Sequence, residues 1–160
     1  MAVRSLSVAG ALGAALALSL SGCALTAQVT TGNPYSASDG TNATVSSVIA
    51  QNLLLITTGE GEPAALVGAL YNDSTDAVTV QVTVAQENAT FTIPAMSTVT
   101  LGLTDGDEEF ITDAPVAPGR SANVTISVAN EASSTKPLPV LDGTLTEYQG
   151  ILDDLASAGS

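Results

Sequence analysis

The feature that most constrains the fold is a strict two-residue alternation in the segment VTVQVTV, Val78–Val84. Its four valines alternate with Thr79, Gln81 and Thr83. Because successive side chains of a β-strand point to opposite faces, this spacing gathers the valines on one face and the polar side chains on the other. The pattern predicts a strand of an antiparallel sheet, with one face buried and one solvated.

Similar short runs recur along the chain, separated by turn signals at a spacing of roughly 8 to 12 residues. Inward-facing apolar side chains are expected at Phe91, Ile93, Val99, Leu101, Leu103, Val124, Ile126 and Val128. The runs are residues 44–57, 65–71, 77–85, 90–93, 97–103, the weaker 109–112, and 121–128, with 137–141 as a final edge strand. About seven short strands at this spacing predict an all-β fold, an antiparallel β-sandwich.

The C-terminal tail, residues 142–160, has a different pattern. Asp142 and Gly143 form a turn signal, and the sequence TLTE at 144–147 fits a helix capping box. Leucines and Tyr148 then follow at helical spacing, which predicts a short helix with one face docked on the sandwich.

Residues 1–22 are typical of an export signal. Arg4 is their only charge, and residues 8–20 are apolar or small throughout. That apolar run is shorter than the ~20 residues needed to span a bilayer. The segment is therefore expected to direct secretion.

Leu20, Ser21, Gly22 and Cys23 resemble the lipobox of bacterial lipoproteins. The resemblance implies that the Cys23 sulfur receives a diacylglyceryl group and that cleavage leaves Cys23 as the first mature residue. Two acyl chains anchor a protein stably, so the mature chain is expected on the extracytoplasmic face of the cell membrane. An ordinary signal peptide that leaves Cys23 as a free thiol is the alternative.

Residues 23–43 are rich in small and polar side chains with Gly, Pro and Asn. Such a composition buries too little apolar surface to order itself, which predicts a flexible stalk between the lipid and a sandwich at residues 44–141.

Two segments, GALYNDSTDAVTVQVTV at 68–84 and APGRSANVTISV at 117–128, look like the immunoglobulin-like domains of small secreted bacterial lipoproteins. The group most similar to them is that of actinobacterial lipoproteins distantly related to the PCuAC periplasmic copper chaperones. The resemblance implies an immunoglobulin-like sandwich. It also implies a copper site of histidines and methionines, yet this chain has no histidine, and Met96 is its only methionine beyond the signal. Because Cu(I) needs several soft ligands, copper binding is not expected to carry over.

Charge and composition narrow the function further. The chain carries sixteen acidic residues, and Arg120 and Lys136 are its only basic residues beyond the signal. Such a chain repels nucleic acid, so no nucleic-acid partner is expected. The lack of histidine excludes Ser-His-Asp and Cys-His catalysis. The sequence SSTK at 133–136 has Ser-x-x-Lys spacing but is interpreted as a polar loop, so neither an enzyme nor a cofactor is predicted.

A weak Ca²⁺ candidate remains in the segment DGDEEFITD, at Asp105, Asp107, Glu108 and Glu109. Carboxylate oxygens are ligands that Ca²⁺ prefers, although the segment lacks the spacing of a known calcium loop. A solvated acidic turn is the alternative. The sequence thus predicts a membrane-anchored lipoprotein that acts as a non-enzymatic binding module for an unidentified envelope protein or ligand. Metal handling of the copper-chaperone kind is the alternative function.

Overall fold

The computed structural model describes residues 38–128 and 131–158. Within them the chain forms nine strands and one helix, which confirms the predicted all-β class with a C-terminal helix. The strands are β1 Thr41–Val45, β2 Val48–Thr57, β3 Pro63–Asn72, β4 Val78–Val84, β5 Glu87–Ile93, β6 Thr98–Leu101, β7 Ile111–Asp113, β8 Ser121–Val128 and β9 Ala132–Leu141, and the helix is α1 Thr146–Ala158.

The strands form two sides of a sandwich. On one side, β1 and β3 flank β2, and β6 and β7 pair with successive parts of β3. On the other side, the order is β5, β4, β8, β9, all antiparallel. The last residues of β9, Val140 and Leu141, pair in parallel with Leu55 and Ile56 of β2. The prediction of an edge strand at 137–141 is therefore wrong, because β9 pairs with both sides of the sandwich.

Aliphatic side chains from both sides fill the core. Val80, Val82 and Val84 of the alternating strand are fully buried, as the pattern predicts. Phe91 and Phe110 are the aromatic members of the core cluster. The remaining members are Val, Leu, Ile and Ala side chains.

The predicted first run, residues 44–57, is in fact a hairpin. β1 ends at Val45, and β2 begins at Val48 after a turn in which Ser46 has φ of 52°. β1 also begins at Thr41, and Ala43 is buried, so residues 41–43 belong to the sandwich rather than to the stalk. The turn was missed because it contains no Gly, Asn or Asp, the residues that usually adopt positive φ.

A β-bulge in β2 fixes where the chain enters the sandwich. The pairing of β2 with β3 shifts between Gln51 and Leu54, and Asn52 has φ of 52°. The side-chain oxygen of Asn52 accepts a hydrogen bond from the Gly40 amide at 2.8 Å, and the Asn52 amide donates to the Asn42 side chain at 2.7 Å. The bulge thus holds residues 40–42 beside the middle of β2.

Helix α1 rests on the sandwich through part of its predicted face. Leu155 is buried, whereas Leu145 precedes the helix and is 48% exposed. Before the helix, Asp142 Oδ1 accepts hydrogen bonds from the Thr144 hydroxyl at 2.7 Å and amide at 3.0 Å. These bonds lower the pKa of Asp142. The predicted capping hydroxyl is thus engaged in an Asx turn upstream of the helix.

The outward face of the β5-β4-β8-β9 side carries hydroxyl, amide and proline side chains. Along each strand, these outward positions alternate with positions that point toward the core, and the strand register aligns them across the sheet. We call this surface the neutral face; it comprises Thr79, Gln81 and Thr83 of β4, Asn88, Thr90 and Thr92 of β5, Ser121, Asn123, Thr125 and Ser127 of β8, and Ser133, Thr135, Pro137 and Pro139 of β9.

Candidate functional site

A cleft of about 570 Å³ opens at the end of the sandwich where the β4–β5 turn approaches β7. We call it the end cleft. It is lined by Pro63, Ala85, Gln86, Glu87, Ile111, Thr112, Asp113, Ala114 and Pro115.

Local geometry fixes both walls of the end cleft. On one wall, β4 turns into β5 through Ala85 and Gln86, and Ala85 has φ of 54°. On the other wall, β7 pairs with the start of β3, with Thr112 opposite Ala64. The Ala114 amide donates to the Glu62 carbonyl at 2.9 Å, which ties this wall to the β2–β3 loop. The walls are therefore held by main-chain hydrogen bonds on strands and their adjoining turns.

The side chains of the end cleft combine acidic and apolar groups. Glu87 and Asp113 are exposed carboxylates contributed by different strands, and Gln86 adds an exposed amide. Thr112 is 5% exposed, and its hydroxyl donates to the Asp113 carbonyl at 3.3 Å. Ile111 is 40% exposed and supplies apolar surface. Such a lining suits a ligand with a cationic or hydrogen-bond-donating group and a small apolar part.

Sequence reasoning missed the end cleft. Glu87 has no distinctive sequence context, and Asp113 is the last residue of the acidic segment DGDEEFITD. The two residues are separated by β6 and its loops along the chain, and only the pairing of β7 with β3 places Asp113 here. No local pattern signals such a juxtaposition.

The calcium candidates lie in the connection from β6 to β7. The Thr104 hydroxyl donates to Asp107 Oδ2 at 2.5 Å, and the Asp107 amide donates to the Thr104 carbonyl at 3.0 Å. Asp105, Glu108 and Glu109 are exposed. Among the described residues, no group of three or more His, Cys, Asp or Glu side chains could hold a metal ion. The segment forms a hydrogen-bonded acidic turn without bringing its carboxylates together as a ligand set.

Other residues singled out in the sequence lie apart from the end cleft. Met96 is in the connection from β5 to β6, 57% exposed, with φ of 52°. Ser133 and Lys136 lie in β9 rather than in the predicted loop, and an odd separation in a strand places them on opposite faces. The lipobox residues Leu20, Ser21, Gly22 and Cys23 lie outside the described residues. In the part of the chain that is described, no helix has the length and hydropathy of a membrane span.

Comparison with known proteins identifies the fold. No family model and no curated protein matches the sequence. Among solved structures, the apo PCuAC domain from PmoF1 superposes with a TM-score of 0.51 at 14% identity, covering 64% of this chain and 99% of that domain. The sandwich has the PCuAC fold. The resemblance inferred from the two sequence segments is confirmed at this level, and at 14% identity the likeness concerns fold alone.

Two structures of the PCuAC domain from PmoF2 are also similar. The copper-bound form has a TM-score of 0.48 at 18% identity and covers 64% of this chain and 98% of that domain. The apo form has a TM-score of 0.48 at 17% identity and covers 66% of this chain and 98% of that domain.

Proposed function

We propose that this protein is a lipid-anchored extracytoplasmic binding module without enzymatic activity. The observation that carries the proposal is the sequence Leu20, Ser21, Gly22 and Cys23, which resembles a lipobox, follows a segment typical of an export signal and precedes a β-sandwich that begins at Thr41. A diacylglyceryl group on Cys23 holds the chain to the outer surface of the membrane. The sandwich then presents its binding surfaces to other components of the envelope.

Metabolic labelling with radioactive palmitate tests the anchor. The unaltered chain and the matched control Ser21→Ala, which keeps a small residue two positions before Cys23, are expected to incorporate label and to sediment with membranes. Cys23→Ala is expected to lose both label and sedimentation. Equal labelling of Cys23→Ala would refute the anchor.

The end cleft is the proposed binding site, and its ligand carries a cationic group. Glu87 and Asp113 line the cleft, and the sixteen carboxylates of the chain outnumber its basic groups. A negative potential raises the local concentration of cations and accelerates their association. The partner is therefore a basic peptide segment or another amine-bearing envelope component.

Calorimetric titration with tetralysine at low ionic strength tests this site. The double variant Glu87→Gln/Asp113→Asn is expected to bind about tenfold more weakly, a change of about 1.4 kcal/mol. The matched control Glu108→Gln/Glu109→Gln removes the same charge outside the end cleft and is expected to lose less than half of that free energy. Equal losses in the two variants, or no binding by the unaltered chain, would exclude the end cleft as the site.

Metal handling is a second candidate function, and the fold shared with the PmoF1 PCuAC domain favours it. The residues lining the end cleft include no His, Cys or Met, so its two carboxylates suit a hard cation better than Cu(I). Elemental analysis after incubation with Cu(I) or Ca²⁺ and exhaustive dialysis distinguishes the candidates. One equivalent of retained metal would favour metal handling, and a metal-free chain would exclude tight metal binding.

A further inference from the structure

The neutral face stands out because the rest of the chain is so acidic. Sixteen carboxylates are distributed over the chain, yet none lies at the outward positions of β4, β5, β8 and β9. We propose that the neutral face binds an extended, uncharged polysaccharide. This inference goes beyond the proposed function, since it depends neither on the lipid nor on the carboxylates of the end cleft.

The functional groups of the neutral face match those of a glycan. Ser and Thr hydroxyls and Asn and Gln amides each donate and accept hydrogen bonds, as sugar hydroxyls do. The strand register arranges them in ordered rows. One row runs Thr90, Gln81, Ser127, Ser133, and the next runs Asn88, Thr83, Thr125, Thr135. Neighbouring strands lie about 4.8 Å apart, so each row offers closely spaced polar groups to a chain of sugars.

The groups of the neutral face are largely fixed before a ligand arrives. Threonine is branched at Cβ and has few accessible rotamers, so it loses little entropy when it is immobilised. The hydroxyls of Thr125 and Thr135 lie 2.8 Å apart and are hydrogen-bonded to each other, and Gln81 Nε2 donates to Asn88 Oδ1 at 3.4 Å. These contacts orient side chains without using all of their hydrogen-bonding capacity.

Two depressions, one on the neutral face and one at its edge, give it a shape that an extended ligand can follow. One, of about 250 Å³, is lined by Thr79, Gln81, Thr90 and Ser127. The other, of about 350 Å³, lies at the edge of the face and is lined by Thr83, Ser121, Asn123 and Thr125 together with Ala85, Pro115, Val116 and Ala122. Because both depressions involve β4 and β8, a linear polymer that follows these strands contacts both of them.

The composition of the neutral face disfavours other partners. Protein interfaces are enriched in Tyr, Trp, Phe, Met and Arg and depleted in Ser, and their strongest contacts seldom involve Thr or Ser. The neutral face contains none of the enriched types. An anionic polymer would be repelled by the sixteen carboxylates of the chain. Neither the composition of protein interfaces nor the repulsion of anions argues against a neutral polymer of hydroxyl groups.

Affinity electrophoresis of the full chain with the substitution Cys23→Ser tests the inference without any lipid. Native gels contain dextran, mannan or arabinogalactan as neutral probes and polygalacturonate as the anionic probe. At least one neutral polysaccharide is expected to retard the chain, and polygalacturonate is not. The result does not depend on palmitate labelling or tetralysine binding, so this inference and the proposed function fail or succeed separately.

Paired isosteric variants locate the site. Thr79→Val/Thr90→Val removes two hydroxyls from the first depression and is expected to weaken the affinity for the retarding polysaccharide about tenfold. The control Thr98→Val/Thr100→Val makes the same change at exposed positions of β6, outside the neutral face, and is expected to leave the affinity within twofold. Thermal unfolding confirms that both variants fold.

Several outcomes would overturn the inference. They are a lack of retardation by every neutral probe, equal retardation by polygalacturonate, and equal weakening in the two paired variants. Light scattering supplies a further one. A dimer that dissociates in Thr79→Val/Thr90→Val would show that the neutral face binds a second copy of the chain instead.

Discussion

Asn72 is a polar residue in the core, fully buried at the end of β3. Its Nδ2 donates to the carbonyl oxygens of Asp76, Ile93 and Pro94 at 2.7, 3.2 and 3.1 Å. Its Oδ1 accepts from the Ser74 amide at 3.0 Å and hydroxyl at 2.7 Å. One side chain thus joins the β3–β4 loop to the end of β5. The sequence NDS at 72–74 is typical of a turn, but burial of the Asn72 amide depends on β5, which no local pattern shows.

Replacing Asn72 by Ala is expected to lower the free energy of unfolding by about 3 kcal/mol, because buried carbonyl groups lose their donor. Chemical denaturation monitored by circular dichroism measures the change. The control Asn88→Ala alters an exposed strand residue and is expected to change stability by less than about 0.5 kcal/mol. A loss at Asn72 no greater than at Asn88 would contradict the structural role given to Asn72.

At the scale of elements, strands whose own sequence alternates between apolar and polar residues were predicted. Strands whose extent depends on pairing with distant segments were not. β8 matches its predicted bounds, 121–128, because its valines and isoleucine alternate with polar residues. β9 was recognised only from residue 137, because the polar run SSTK at 133–136 is typical of a loop, while Pro137 and Pro139 favour an edge strand. Pro137 and Pro139 are two residues apart, so the amide donors that they remove are on the same side of β9, and the donors on its other side remain. The Val140 amide, on the other side, donates to the Arg120 carbonyl at 3.0 Å.

The contact of helix α1 with the start of the sandwich has a measurable pH signature. The Tyr148 hydroxyl donates to Asp39 Oδ2 at 3.2 Å. Partial burial, this hydrogen bond and the negative charge of Asp39 together raise the pKa of Tyr148 above its usual 10.0. Since the folded-state pKa is raised, the contribution to stability is fully present below pH 10 and is lost as pH rises through the raised pKa.

In Tyr148→Phe, spectrophotometric titration of tyrosinate absorbance is expected to lose a component with a raised pKa. The control Tyr71→Phe is expected to retain that component. The difference in unfolding free energy between the unaltered chain and Tyr148→Phe should be constant below pH 10 and shrink above it. A difference that grows with rising pH would show that the tyrosinate, and not the phenol, is the favoured form.

At the scale of the whole molecule, charge is the dominant property. All sixteen carboxylates lie within the described residues, whereas Arg120 and Lys136 are the only basic side chains there. Mutual repulsion among like charges destabilises a compact state and is screened by salt. The overall charge and the sandwich class could be predicted from sequence. The end cleft could not, because its walls come from segments that meet only after the strands have paired.

Raising NaCl from about 20 mM to about 500 mM is expected to raise Tm by a few degrees, since the Debye length falls from roughly 20 Å to below 5 Å. Differential scanning calorimetry measures this shift. CaCl₂ and MgCl₂ at equal concentration are expected to act alike, because the carboxylates of the β6–β7 connection do not form a ligand set. A rise in Tm specific to Ca²⁺ would restore Asp105, Asp107, Glu108 and Glu109 as a calcium site.

The strand shared by the two sides, β9, also determines when the domain can form. It is the last strand in the chain, and it pairs both with β8 and with β2, near the beginning of the domain. Contacts between distant parts of a chain are slow to form, and here the closing one requires nearly the whole sequence to be available. A nascent chain that has emerged only as far as β8 lacks the connection between its halves. Such a chain completes the sandwich only once β9 is available to pair with both β8 and β2.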